Sequence, residues 1–240
     1  MIVKHIAATV IFLFLFMSAG PVRGQHISQE QAIKDGRQMR QIIEACHPDP
    51  YIAMGGKISF HLAFQNMLRG IPDTGIEVDD FWWILSGFMA GMKDGHTFVR
   101  PLKYPDTRFP GGIPMGFDIL ADSIVVVAKV SRPAHEKWIG CRVLKISGIP
   151  VRELMERVGA LYPVENSFDR FRNLKVFLWY ADFMKRLLPE WTPGEPVSLE
   201  LEDRKGLIYT ITLPTDSSAV YKMRKPAEST LKLPDTQRCD

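Results

Sequence analysis

Cysteine is scarce in this 240-residue chain: Cys46, Cys141 and Cys239 are all it has. There is no C-x-x-C pair and no H-E-x-x-H segment, and the six histidines are widely scattered. The sequence therefore offers no metal-binding spacing, and neither a metal nor a cofactor is expected. An odd number of thiols allows one disulfide with one thiol left over, and spacing does not choose the pair. A dominant charge sign is also missing. Lys and Arg number 30 against 27 Asp and Glu, a formal net charge of +3, with no basic stripe for nucleic acid. No apolar run reaches the roughly 20 residues needed to span a bilayer. No G-x-S-x-G elbow is present to expose a nucleophilic serine, and no internal repeat is visible.

What is present begins with a leader. Lys4 and His5 precede an apolar run over residues 6–17, followed by small residues to Gly24. This charged, apolar, small-residue order predicts a secretory signal over 1–24, cleaved after Gly24, and hence export to the periplasm or the extracellular space. Lys4 and Arg23 fall inside it, so the formal +3 becomes +1 beyond the leader.

Helical periodicity then runs to about residue 98. Ser28 and Gln31 make a capping box, with Ile27 and Ala32 at the staple positions. The inner face of this first helix is read as Ala32, Met39, Ile42, Ile43 and Cys46, and Pro48 and Pro50 prevent its continuation. A second helix is predicted over 58–68, with Ile58, Leu62, Gln65 and Leu68 on one side and Gly70 at its end. A third is predicted over 78–92, where Val78, Phe81, Leu85, Phe88, Met89 and Met92 form one stripe. Asp79 and Asp80 suit its first turn, and Gly95 is read as the left-handed residue that stops it. His96 would then leave a helix end on a turn, where a fixed imidazole can take a proton near neutral pH.

The period changes across a stretch rich in proline and glycine, residues 101–114. Strands are predicted over 115–120 and 124–129, joined by the turn residues Ala121-Asp122-Ser123, and over 141–146, closed by Ser147-Gly148. A helix over 151–161 would bury Leu154, Val158 and Leu161. A longer one over 168–188 would bury Phe171, Leu174, Leu178 and Ala181. Strands over 197–201 and 207–213 flank Asp203-Arg204-Lys205-Gly206 as a second hairpin. Residues 215–240 read as a polar tail or linker. The fold class is α+β: helices first, then a β-rich part.

Taken in order, these features resemble the front half of the tail-specific (carboxyl-terminal processing) serine peptidases and their tricorn-like relatives. The likeness is carried by His47-Pro48-Asp49-Pro50, Asp79-Asp80-Phe81, Asp94-Gly95-His96-Thr97 and the run Gly140-Cys141-Arg142-Val143-Leu144-Lys145-Ile146-Ser147-Gly148-Ile149-Pro150-Val151. It implies a helical cap over 25–100 and a PDZ-like domain over 108–214, ahead of a nucleophile-bearing core. In the tricorn-like branch a histidine placed like His96 is the base for the serine of that core. A PDZ-like module implies capture of a peptide or unfolded-protein C-terminus, for which Met115, Gly116, Phe117 and Ile119 are the candidates, although Pro114 removes one donor. Ser229-Thr230-Leu231-Lys232 fits S-x-x-K, but Pro226 and Pro234 flank it, and it is read as a chance match. The functional expectation is an exported peptidase-like N-terminal portion, inactive by itself, or alternatively a stand-alone peptide-binding module.

Overall fold

A computed structural model describes residues 25–100, 111–120 and 124–215. The leader, most of the proline-rich stretch, the turn at 121–123, the S-x-x-K segment and Cys239 lie outside the described residues. The chain divides into two compact units between Phe88 and Met89.

The first unit opens with β1 (His26–Ile27), paired antiparallel with β2 (Ile76–Glu77). Helix α1 (Gln29–Cys46) starts as its sequence predicts: the Ser28 side chain accepts from the Gln31 N–H at 3.2 Å. Its buried face is Ala32, Gly36 and Ile43, whereas Ile42 and Cys46 are exposed. Gly36 belongs there because a Cβ would lie 3.0 Å from Leu68. Helix α2 (Lys57–Arg69) corrects the expected face. It buries Phe60, Phe64 and Leu68 and leaves Ile58 86% and Leu62 58% exposed. Positions 58 and 62 share one side, and a step of two residues turns the helix by about 200° to the aromatic side. The larger rings win the burial because they remove more apolar area from water. Phe60 and Phe64 both meet the Phe88 ring edge-on, at 5.3 and 5.7 Å.

Helix α3 (Val78–Ala90) follows β2 directly and carries Asp79 and Asp80 in its first turn, as expected. It ends two residues early. Lys93, with φ +52°, is the left-handed residue, and Gly95 is not.

The second unit is a six-stranded antiparallel sheet: β3 (Met115–Ile119), β4 (Val125–Val130), β5 (Arg142–Ile146), β6 (Ile149–Pro150), β7 (Val197–Glu202) and β8 (Ile208–Leu213). The order is β3-β4-β5-β7-β8, with β6 folded back on β5. Strand β7 shows the period of two plainly: Val197, Leu199 and Leu201 are fully buried and alternate with half-exposed neighbours. Pairing of Val197 with Leu213 and of Leu199 with Ile211 sets the register. The hairpin turn is closed by Asp203, whose Oδ1 accepts from the Lys205 and Leu207 N–H groups at 2.8 and 3.0 Å.

Helices α4 (Val151–Leu161), α5 (Ser167–Trp179) and α6 (Ala181–Leu187) complete the unit. The sequence suggested one helix where α5 and α6 stand. The break is at Tyr180, which is extended and bridges to Gly111. The Leu178 carbonyl takes the Ile113 N–H at 2.8 Å in place of a later helical donor. A short 3₁₀ stretch, Pro133–Trp138, joins β4 to β5 and had no periodic signal.

Two outcomes follow. Phe60→Ala should cost about 3–5 kcal/mol in a denaturant melt, and Leu62→Ala should stay within about 0.5 kcal/mol; the reverse ranking would contradict this packing. The Leu207 N–H, together with the Lys205 N–H and the Tyr209 hydroxyl, holds the Asp203 carboxyl below the usual carboxylate range, against the opposing effect of burial. A depressed folded-state pKa means that its support of the hairpin is present above the unfolded value of about 3.9 and is lost as the pH falls below it. The protection factor of the Leu207 N–H, its exchange rate taken relative to the intrinsic rate at each pH, should fall on acidification, and Asp203→Asn should flatten that response.

Candidate functional site

The segment that leaves α3 is shaped by one carboxylate. Met92 and Lys93 still bond back to Met89 and Ala90. Asp94 then makes an Asx turn: its Oδ1 accepts from the His96 N–H at 2.9 Å, and its Oδ2 takes the Thr97 hydroxyl in a short hydrogen bond. The His96 side chain is thereby turned outward, 91% exposed. Its Nδ1 lies 2.8 Å from Glu165 Oε1 and 3.7 Å from Asp94 Oδ1.

Glu165 comes from the link between α4 and α5, a region to which the sequence drew no attention. It precedes Asn166, whose side chain caps α5 by accepting from the Asp169 N–H at 2.9 Å. The Glu165 N–H points at Asp169 Oδ2 at 3.4 Å, while Asp169 Oδ1 is paired with Arg172 at 2.9 Å. Gly95 fits beneath this network, since a Cβ there would come within 2.9 Å of Asp169 Oδ2. Its smallness provides clearance here, and the helix stop falls to Lys93.

With a carboxylate on Nδ1, the neutral imidazole is held in the tautomer that keeps its proton there and leaves the Nε2 lone pair free. This is the relation between a base and the group that orients it. Among the described residues the ring nitrogens of His96 meet carboxylates only, and no hydroxyl or thiol stands against Nε2. Asp94, His96 and Glu165 also offer ligand atoms within 4.8 Å of one another, so a cation could approach them. The oxygens of Asp94 are already engaged by the turn, which makes the Glu165–His96 contact the tighter element.

The expected peptide-binding residues are placed differently. Met115 and Phe117 are 0% and 5% exposed and Gly116 is buried, so their side chains pack the core, while Ile119 is half-exposed. The neighbouring glycines do permit a close backbone approach, but to the chain's own helix. A Cβ on Gly112 would fall 2.2 Å from the Leu178 carbonyl oxygen. Cys141 is buried, which raises its thiol pKa, and Cys46 is an exposed free thiol.

No family model matches the chain, and no curated protein matches it. Solved structures do. The structure of mature CPAF complexed with lactacystin aligns with a TM-score of 0.54 at 14% identity, over 78% of this chain and 34% of that one. Mature CPAF alone aligns at 0.52 with the same identity and coverage. CPAF is a chlamydial serine protease. The fold is distantly protease-like. The chain spans about a third of the length of these neighbours, and at 14% identity the likeness concerns the fold alone.

An exposed hydrogen bond between ionisable side chains contributes little to stability. His96→Ala should therefore shift a denaturant melt by no more than about 0.5 kcal/mol. A loss of about 1–3 kcal/mol would mark the imidazole as an architectural group with a partner left unsatisfied.

Proposed function

We propose that this chain is the amino-terminal portion of an exported serine-peptidase-like protein, of the tail-specific or tricorn-like kind. In it His96 serves as general base for a serine that the described residues do not supply. One observation carries the reading: an outward imidazole with Nδ1 held by Glu165 at 2.8 Å and, among the described residues, no partner at Nε2. The distant protease-like fold supports it, as do the D-G-H-T turn and the leader read over 1–24. Glu165 acts as the positioning residue. It keeps the proton on Nδ1 and favours the imidazolium that forms when Nε2 takes the serine proton. The serine oxygen would then attack a peptide carbonyl.

A second reading has one observation in its favour. Strand β3 lies at the edge of the sheet, the place from which a PDZ-like module adds a peptide as a further strand. With Met115 and Phe117 buried, backbone hydrogen bonds and Ile119 would have to carry such binding.

The isolated chain should not turn over an unstructured protein such as casein. Turnover that survives Ser229→Ala and vanishes with His96→Ala would place a complete site within it. In a longer polypeptide that carries the serine, His96→Ala should lower kcat/KM by about three orders of magnitude or more, and an unchanged rate would remove His96 from the chemistry.

A further inference from the structure

A cleft of about 500 Å³ opens between the starts of β4 and β5 and the first turns of α4 and α5. Its floor is apolar: Val143, Val151 and Met155, each no more than 5% exposed, with Val125 beside them. Its rim is cationic. Arg142, Arg152 and Arg170 line it, and with Glu156 in the lining and Glu202 paired to Arg142 one positive charge is in excess. Arg170 is paired with Glu156 at 2.8 Å, and Arg142 reaches Glu202 at 3.3 Å. Arg152 is exposed and forms no ion pair with any described residue. Arg170 also keeps a buried Nε–H that no described group accepts. Ser167, at the first position of α5, reaches the same cleft and brings the positive end of that helix to it.

We propose that this cleft binds a small monocarboxylate with an aliphatic body. The carboxylate meets the guanidinium rim, where planar N–H donors match its two oxygens, and the aliphatic chain covers the valine and methionine floor. Each half of the site selects against a simpler ligand. A short anion leaves the floor in water, and a neutral apolar molecule leaves the arginine donors without acceptors. The volume lies within the range of small-molecule sites. Among the described residues no hydrogen bond or ion pair joins this cleft to His96 or Glu165, so its binding is tested separately from the peptidase reading.

Octanoate is the probe, followed by chemical-shift perturbation on the full chain. Binding should saturate and should perturb Val143, Arg152 and Met155. Acetate and 1-octanol should each bind at least about tenfold more weakly, the first for lost apolar contact and the second for lost charge. Arg152→Gln should weaken octanoate by about tenfold with an unchanged melting temperature, and Arg142→Gln should act in the same direction. A hexapeptide ending in a free leucine carboxylate should bind no tighter than octanoate. The proposal is overturned if octanoate does not saturate, if octanol matches it, or if both arginine variants bind like the parent. Tight peptide binding with octanoate silent would likewise overturn it, because the cleft would then belong to a chain end.

Discussion

Helix α5 is tied at both ends by hydrogen bonds to residues outside it. At its C-terminus the Leu178 carbonyl takes the Ile113 N–H, and Gly112 lies so close that no side chain could stand there. That contact interrupts the helix, lets Tyr180 bridge Gly111, and fastens the start of the edge strand to the helix behind it. At its N-terminus Asn166 caps the first turn, and Asp169 binds back to the Glu165 backbone. The position of Glu165 is a consequence of this double anchoring. So is the presence of Ser167 and Arg170 beside β5 and α4.

The first turn of α5 and the link before it therefore carry both signs of charge. Glu165 and Asp169 present carboxylates toward the Asp94–His96 turn. Ser167 and Arg170 contribute to a cationic cleft. The helix N-terminus reconciles the two, since its partial positive charge tolerates the carboxylates and reinforces the pull of the guanidiniums on an anion. The contact of the exposed His96 with the half-exposed Glu165 adds little stability, because both side chains remain solvated. Stability comes from the aromatic cluster of Phe60, Phe64 and Phe88 in the first unit. In the second it comes from the buried faces of β7 and α5.

The likeness to mature CPAF rests on the path of the chain, at 14% identity. Architecture can survive at that distance because cores accept many apolar combinations of similar volume. Site chemistry is less forgiving, as a base needs its orienting group within hydrogen-bond reach. In the function proposed above, Glu165, 69 residues further along the chain, is the group within that reach of His96.

Local rules determined much of this protein from the sequence alone. The Ser28 cap, the acidic first turn of α3, the alternation in β7 and the Asp203 hairpin each depend on residues within a few positions of one another. Their physics is complete at that range. The D-G-H-T turn was legible for the same reason, and it located His96. Tertiary structure decided whatever required a choice between equivalent faces or a partner far along the chain. Helix α2 carries apolar residues on two sides, and only the reach of Phe88 made Phe60 and Phe64 the inner pair. The division of α5 from α6 needed the Ile113 N–H to compete for the Leu178 carbonyl, and no local propensity encodes that competition. Met115 and Phe117 looked available on a strand until the sheet and helices closed over them. Glu165 lies in a link with no periodic signal, and only folding brings its carboxylate to the imidazole, because the hydrogen bond that orients His96 is set by distance in space.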